Sequence, residues 1–317
     1  MNGAIGVTVF FVLSGFLITL LALREEAATG ALNLGAFYIR RAFRLFPVYY
    51  LVLGVYVVLV LVLHADPRRA AFIHALPFYL GYMQEVPHYF SGQSAPFEIS
   101  WSLGIEEKFY LVWPIVAFAG LRAFRMRVAV AILVLLAGYL LPARMLASPG
   151  AVTMVGDYSS ILLGCTAALL TFESSTEHAV AALARGWVPV VAFTLAALSG
   201  GALPVIALAT CLLLPSLVVG EGAVARTLSI APLVWLGRRS YAIYLTHQLA
   251  LGVARRAVHA PLTKTGDLSV AILGFAVVVP TVALLYRFVE KPLIDRGHRL
   301  TRSARIKAGR LAVRSGT

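Results

Sequence analysis

Acidic side chains are scarce in this sequence, with 14 Asp and Glu against 27 Lys and Arg. Charge of either sign is scarce as well. It makes up 13% of the 317 residues, where a soluble domain carries roughly 25%. With 60% hydrophobic residues the chain has too few polar groups to cover its own surface in water. That excludes one or two ordinary soluble domains. Cysteine is nearly absent. Cys165 and Cys211 each lie inside an apolar run, with no paired spacing and no histidine beside them, so they read as small core residues. There is no G-x-S-x-G elbow, no P-loop and no H-E-x-x-H, and no spacing of ligands that supports a metal site. A cleavable leader is not expected either. The first apolar run, 5–23, has no basic stretch before it and no small-residue cleavage site after it.

What the sequence has in abundance is long apolar runs. A bilayer core takes about 20 apolar residues per helix, and nine stretches approach that length: 5–23, 45–64, 103–121, 128–146, 155–172, 187–200, 202–219, 232–254 and 268–289. The fold class is therefore all-α, a polytopic transmembrane helical bundle of about nine spans. Residues 1–290 form the membrane domain and 291–317 a basic, solvated tail without fixed structure. The stretch 74–82 is apolar but too short to span, and suits a re-entrant or interfacial piece. Residues 66–102 form the longest connection. Their aromatics (Tyr79, Tyr82, Tyr89, Phe90, Phe97, Trp101) place it, ordered, at the membrane interface.

The net charge of +13 would suggest nucleic acid in a soluble protein. Here the basic residues cluster in short gaps between apolar runs and in the tail, which is the pattern of cytoplasmic flanks. With the tail inside, 20 basic residues fall on the cytoplasmic side. The other seven (Arg68, Arg69, Lys108, Arg144, Arg255, Arg256, Lys264) fall outside. No nucleic-acid partner is expected. Nine spans with the tail inside put the amino terminus outside, an arrangement that expects one more helix ahead of Met1.

Four segments carry polar groups where a membrane makes them costly. In Gly6–Thr19, Ser14 and Gly15 interrupt an apolar helix, as small residues do at close helix crossings. In Phe37–Tyr50, Arg41 and Arg44 share a helix face. Two guanidiniums there serve either as topology anchors or as a fork for a phosphate-bearing partner. In Ile99–Pro114, Glu106 and Glu107 complement the helix dipole, or one of them faces the bundle interior. Adjacent residues cannot both do so. In Gly237–Gln248, Ser240, Tyr244 and His247 make a polar stripe at helical spacing, with His247 either a satisfied core residue or a catalyst.

Taken in order, the phrases FFVLSGFLIT, YIRRAFRLFP, WSLGIEEKFYLVWP and SYAIYLTHQ resemble the acyltransferase 3 family of integral membrane acyltransferases. They spread from Gly6 to Gln248. The resemblance implies ten spans and transfer of an acyl group, often acetyl, from cytoplasmic acyl-CoA to a hydroxyl of a carbohydrate, glycolipid or macrolide-like acceptor. It assigns Arg41 and Arg44 to the acyl donor through the family's Arg-x-x-Arg pair. Its Ser-Leu-x-x-Glu motif matches Ser102, Leu103 and Glu106, which selects Glu106 over Glu107. Its Tyr-x-x-His phrase matches Tyr244 and His247. Glu106 and His247 are thus the catalytic candidates, and Ser102, Tyr244 and Trp101 the candidates for acceptor binding, with no metal. The family's first helix carries a basic residue and the histidine taken as the acyl-transfer centre. That helix would precede Gly6, and no histidine here takes its place by motif. A variant of the family adds an esterase-like domain after the bundle, which is not expected here. No His and carboxylate show the four-residue gap of soluble glycerol-phosphate acyltransferases.

The expected location is the inner (plasma) membrane. Two other classes fit the same composition: a transporter or flippase, and an inactive homologue. No repeat relates the two halves, which weighs against transport.

Overall fold

In hydrocarbon, each backbone N–H and C=O must find its partner inside the chain, so apolar segments of this length fold as helices. The computed structural model describes residues 3–121, 123–140, 148–173, 188–198, 202–219, 223–258 and 264–302. Among these residues all regular structure is helical. Four helices are long and apolar enough to cross a membrane: Gly3–Thr29, Leu34–Val62, Pro149–Phe172 and Leu268–Arg302. The chain is a multi-pass membrane protein.

The chain forms two compact units. The first takes Met1–Leu34, Pro77–Ser94 and Ser100–Ile230. Its centre is the pairing of α1 (Gly3–Thr29) with α7 (Pro149–Phe172). Both helices meet through glycine. A Cβ on Gly15 would overlap the Ile161 carbonyl, and one on Gly164 would overlap the Val12 carbonyl. The thiol of Cys165 points at the Gly15 oxygen, 3.4 Å away. The small pair Ser14–Gly15 therefore serves a close crossing, driven by backbone approach rather than by hydrophobic difference. Val12, Phe16, Leu20, Ala167 and Ala168 fill the seam, joined by Ala207 and Leu214 from α9 (Leu203–Val219), which also packs on α8 (Val188–Leu198) and on the short α10 (Ala223–Leu228).

Other elements attach to this pair by polar contacts. Between them stand α5 (Trp101–Pro114), running into a π turn at Ile115–Gly120, and α6 (Phe124–Leu140). The Trp113 indole on α5 donates to Thr19 Oγ1 at 2.9 Å. Arg127 on α6 grips both oxygens of Glu26 at 2.6 and 2.7 Å, donates to the Leu121 carbonyl and covers the Phe118 ring. A bidentate fork in which all three nitrogens donate, on a 4% exposed side chain, is among the stronger ion-pair geometries. Ser148 caps α7 through the Ala151 N–H, with Pro149 in the first turn, the usual chemistry of a helix start. The short helix α4 (Glu85–Phe90) rests there, where a Cβ on Gly150 would strike the Tyr89 carbonyl.

The second unit takes Gly35–Leu76, Ala95–Ile99 and Ala231–Thr317. It contains α2 (Leu34–Val57) with its π continuation to Val62, α11 (Ala231–Arg238), α12 (Ser240–Val258) and α13 (Lys264–Leu285), which runs on through a π turn to Arg302. The helix thus extends past 290 into part of the stretch read as tail. Residues 303–317 lie outside the described set, as do Arg122, Arg144 and Arg185. Helix α12 lies along α13, with Leu251 against Gly274. Tyr241 donates to the Leu45 carbonyl at 2.9 Å. Tyr49 and Tyr56 hold the Phe97 ring between them, and Phe97 itself sits at φ +69°, uncommon for a bulky residue.

Two differences from the apolar runs bear on the candidate site. Helix α2 begins at Leu34 and takes the whole YIRRAFRLFP phrase, with Pro47 inside it. Pro47 gives up only one backbone bond. The run 232–254 breaks at Arg239 into α11 and α12. The long connection is ordered by two helices, α3 (Arg69–Leu80) and α4, and a turn at Glu98–Ser100.

Candidate functional site

In the second unit, Arg41 and Arg44 stand one turn apart on α2. Arg41 is half-buried against the Phe37 ring, at 5.9 Å, and Arg44 is exposed. Beside them in the same unit is a third arginine that spacing had counted only as an anchor. Arg239 lies between two aromatic faces, 4.2 Å from the Trp235 centroid and 4.1 Å from that of Tyr286. One N–H bonds the Trp235 carbonyl. Stacking of this kind fixes the guanidinium plane without using up its hydrogen-bonding edge. The carboxyl of Glu290, 2% exposed, feels the charges of Arg44 and Arg239. The signal for Arg239 was the four-residue gap to Trp235. The signals for Glu290 and Tyr286 lie on a distant helix and were not legible.

His247 sits one turn past Tyr244 on α12. Its Nδ1 lies 2.7 Å from the Tyr244 carbonyl. A carbonyl only accepts, so Nδ1 carries the proton and Nε2 holds the lone pair of the neutral ring. Tyr244 is occupied differently. Its hydroxyl donates to the Ile99 carbonyl at 2.6 Å, tying the 95–99 segment to α12.

In the first unit, the start of α5 is buried all round from Ser102 to Glu106. Ser102 is 0% and Glu106 4% exposed, one turn apart, while Glu107 is half-exposed. Trp101, at the start of α5, has one face covered by His88 at 4.3 Å, stacked within 7°. Phe11 and Tyr89 meet it edge-on. The Tyr89 hydroxyl donates to Asp157 on α7. Burial and the Asp157 carboxylate push the Tyr89 hydroxyl above its ordinary value, so it stays a donor. Lys108 Nζ meets Glu85 at 2.5 Å and donates to the Tyr82 and Gly104 carbonyls. Sequence reading missed the cluster of Gln84, Glu85 and Lys108, and the Tyr89–Asp157 pair, because their members come from separate segments. The seven candidates divide by unit: Trp101, Ser102 and Glu106 in the first, Arg41, Arg44, Tyr244 and His247 in the second. No group of three or more metal-ligating side chains occurs among the described residues.

Comparison with known proteins extends this geometry. Relatives include the "Putative peptidoglycan O-acetyltransferase YrhL" of Bacillus subtilis, 29% identical over 94% of this chain and 51% of that protein. The "Peptidoglycan O-acetyltransferase OatA" of Listeria monocytogenes is 28% identical over 93% of this chain and 52% of that protein. A "Putative O-acetyltransferase" of Staphylococcus aureus is 27% identical over 93% of this chain and 53% of that protein. The chain spans about half the length of the curated relatives it matches. No solved structure matches it. The acyltransferase domain model matches residues 1–287, and the chain belongs to the acyltransferase 3 family.

Proposed function

We propose that this chain transfers an acyl group, acetyl first, from acyl-CoA to a hydroxyl of an envelope carbohydrate or glycolipid. It works in the inner membrane, with its basic tail in the cytoplasm. The observation that carries the reading is the arginine group of the second unit. Arg41, Arg44 and the aromatic-clamped Arg239 offer planar forks suited to phosphate oxygens. Such a group fits the phosphates of a CoA-type donor.

The chemistry follows from the atoms available. His247 Nε2, the ring's acceptor, takes the proton of the acceptor hydroxyl as its oxygen bonds the acyl carbon. The carbon–sulfur bond breaks, and the proton leaves with the thiol. Glu106, with Ser102 one turn away on α5 of the first unit, is assigned a separate supporting role in activity, which Glu106→Gln tests. The names of the relatives favour a glycan acceptor over a macrolide.

The test is transfer of a labelled acetyl group from acetyl-CoA to glycan in membranes containing the chain. Arg41→Ala and Arg44→Ala are expected to raise the KM for acetyl-CoA about tenfold or more, as loss of a charge-assisted fork does. Arg→Lys is expected to rescue poorly. Unchanged donor affinity in both alanine variants would remove the assignment.

A further inference from the structure

The junction of α4 with α5 holds an unusual set of buried polar atoms. Gln84 is 1% exposed and Glu85 4% exposed. Both the amide nitrogen and the amide oxygen of Gln84, and Oε2 of Glu85, have no hydrogen-bond partner among the described residues. These side chains converge on Gly104, where an added Cβ would overlap the Glu85 carboxyl and touch the Gln84 amide carbon at 3.4 Å. Glycine at 104 therefore lets them lie against α5. Lys108 is already committed, to Glu85 Oε1 and to two backbone carbonyls.

A protein does not keep three unmet polar atoms in its interior without cost, and such groups ordinarily find partners. The kind of partner can be read from the atoms. They offer one donor and two acceptors, one of the latter charged. A phosphate is repelled by Glu85, whose neutralising lysine is shared with backbone. A metal cation meets an amide N–H and an ammonium. An acyl chain satisfies none of the three. A hydroxyl both donates and accepts, and a pair of neighbouring hydroxyls answers all three atoms at once.

We infer that Gln84 and Glu85 form a subsite for vicinal hydroxyls of the carbohydrate acceptor, closed beneath by Gly104. The site consists of side chains and does not depend on the end of α4. It rests on the acceptor class proposed above and names the residues that hold it.

The test replaces the amide by an apolar side chain of the same length. Gln84→Met, with Gln84→Leu as the second shape, is measured in the full chain in detergent. Soluble glycan fragments of digested peptidoglycan serve as the probe. If the amide awaits a ligand, both variants melt about 2 °C or more above the parent, because an unmet polar group has gone. The parent is stabilised by glycan fragments and the variants are not. The KM for glycan rises about tenfold, while the KM for acetyl-CoA holds. A lower or unchanged melting temperature in both variants would show that the amide is satisfied from within, by buried water for example, and overturns the inference. So does a variant that melts higher yet still responds to glycan as the parent does. A parent that binds glycan but transfers no acetyl group keeps the subsite and removes the enzymatic reading instead.

Discussion

At the scale of single residues, the backbone sets the chemistry of His247. The Tyr244 carbonyl at 2.7 Å holds the Nδ1 proton, leaving Nε2 as the one basic atom. His247→Ala is expected to lower kcat by about 10²–10⁴-fold, the usual worth of a general base, with the KM for acetyl-CoA little changed. Steady-state kinetics in membranes checks this. Tyr89 belongs to stability. Tyr89→Phe leaves Asp157, 8% exposed, without its donor and should cost about 1–3 kcal/mol, read as a lower melting temperature. Asp66 gives a small pH effect. Arg68 bonds its carboxyl and holds it below the ordinary 3.8, so its contribution is whole above that value. It fades as pH falls through the lower folded value, and Asp66→Asn should flatten that acid limb in melting curves taken against pH.

At the scale of elements, the α1–α7 crossing is the tightest feature of the first unit. Gly15→Ala and Gly164→Ala each set a methyl against a backbone carbonyl, which cannot rotate away. Each should cost at least the 1–3 kcal/mol typical of overpacking, seen as loss of folded protein by size-exclusion in detergent. The crossing was legible from Ser14–Gly15 in an apolar run. Its partner surface, Ile161 to Cys165, was not, because nothing local marks which helix a small residue will meet. The helices themselves were legible from hydropathy. Their ends were not: α2 reaches back to Leu34 through three arginines, since helical hydrogen bonding continues past the apolar run. Of the candidate site, the shared face of Arg41 and Arg44 was legible from spacing, and their assignment to the donor came from the family resemblance. Arg239 and Glu290 needed the fold, because their partners lie far along the chain.

At the scale of the whole molecule, the asymmetry of basic residues predicts an orientation that can be measured. Single cysteines placed at Arg68 and at Arg302 should label from opposite sides of intact cells, Arg68 from outside. Native Cys165 is buried and Cys211 half-buried, so both cysteines are placed in a Cys211→Ala background. Labelling of both from one side would overturn the proposed cytoplasmic placement of Arg41 and Arg44. The glycine crossing adds a genetic expectation. Where a side chain opposes a side chain, a larger residue on one helix is repaired by a smaller one on the other. At Gly15 and Gly164 the opposing atoms belong to the main chain, which has nothing to shrink. Second-site suppressors of these substitutions should therefore be missing from the facing helix. They should turn up where α1 or α7 can slide as a rod, at the Ser148 cap or near the Arg127–Glu26 fork.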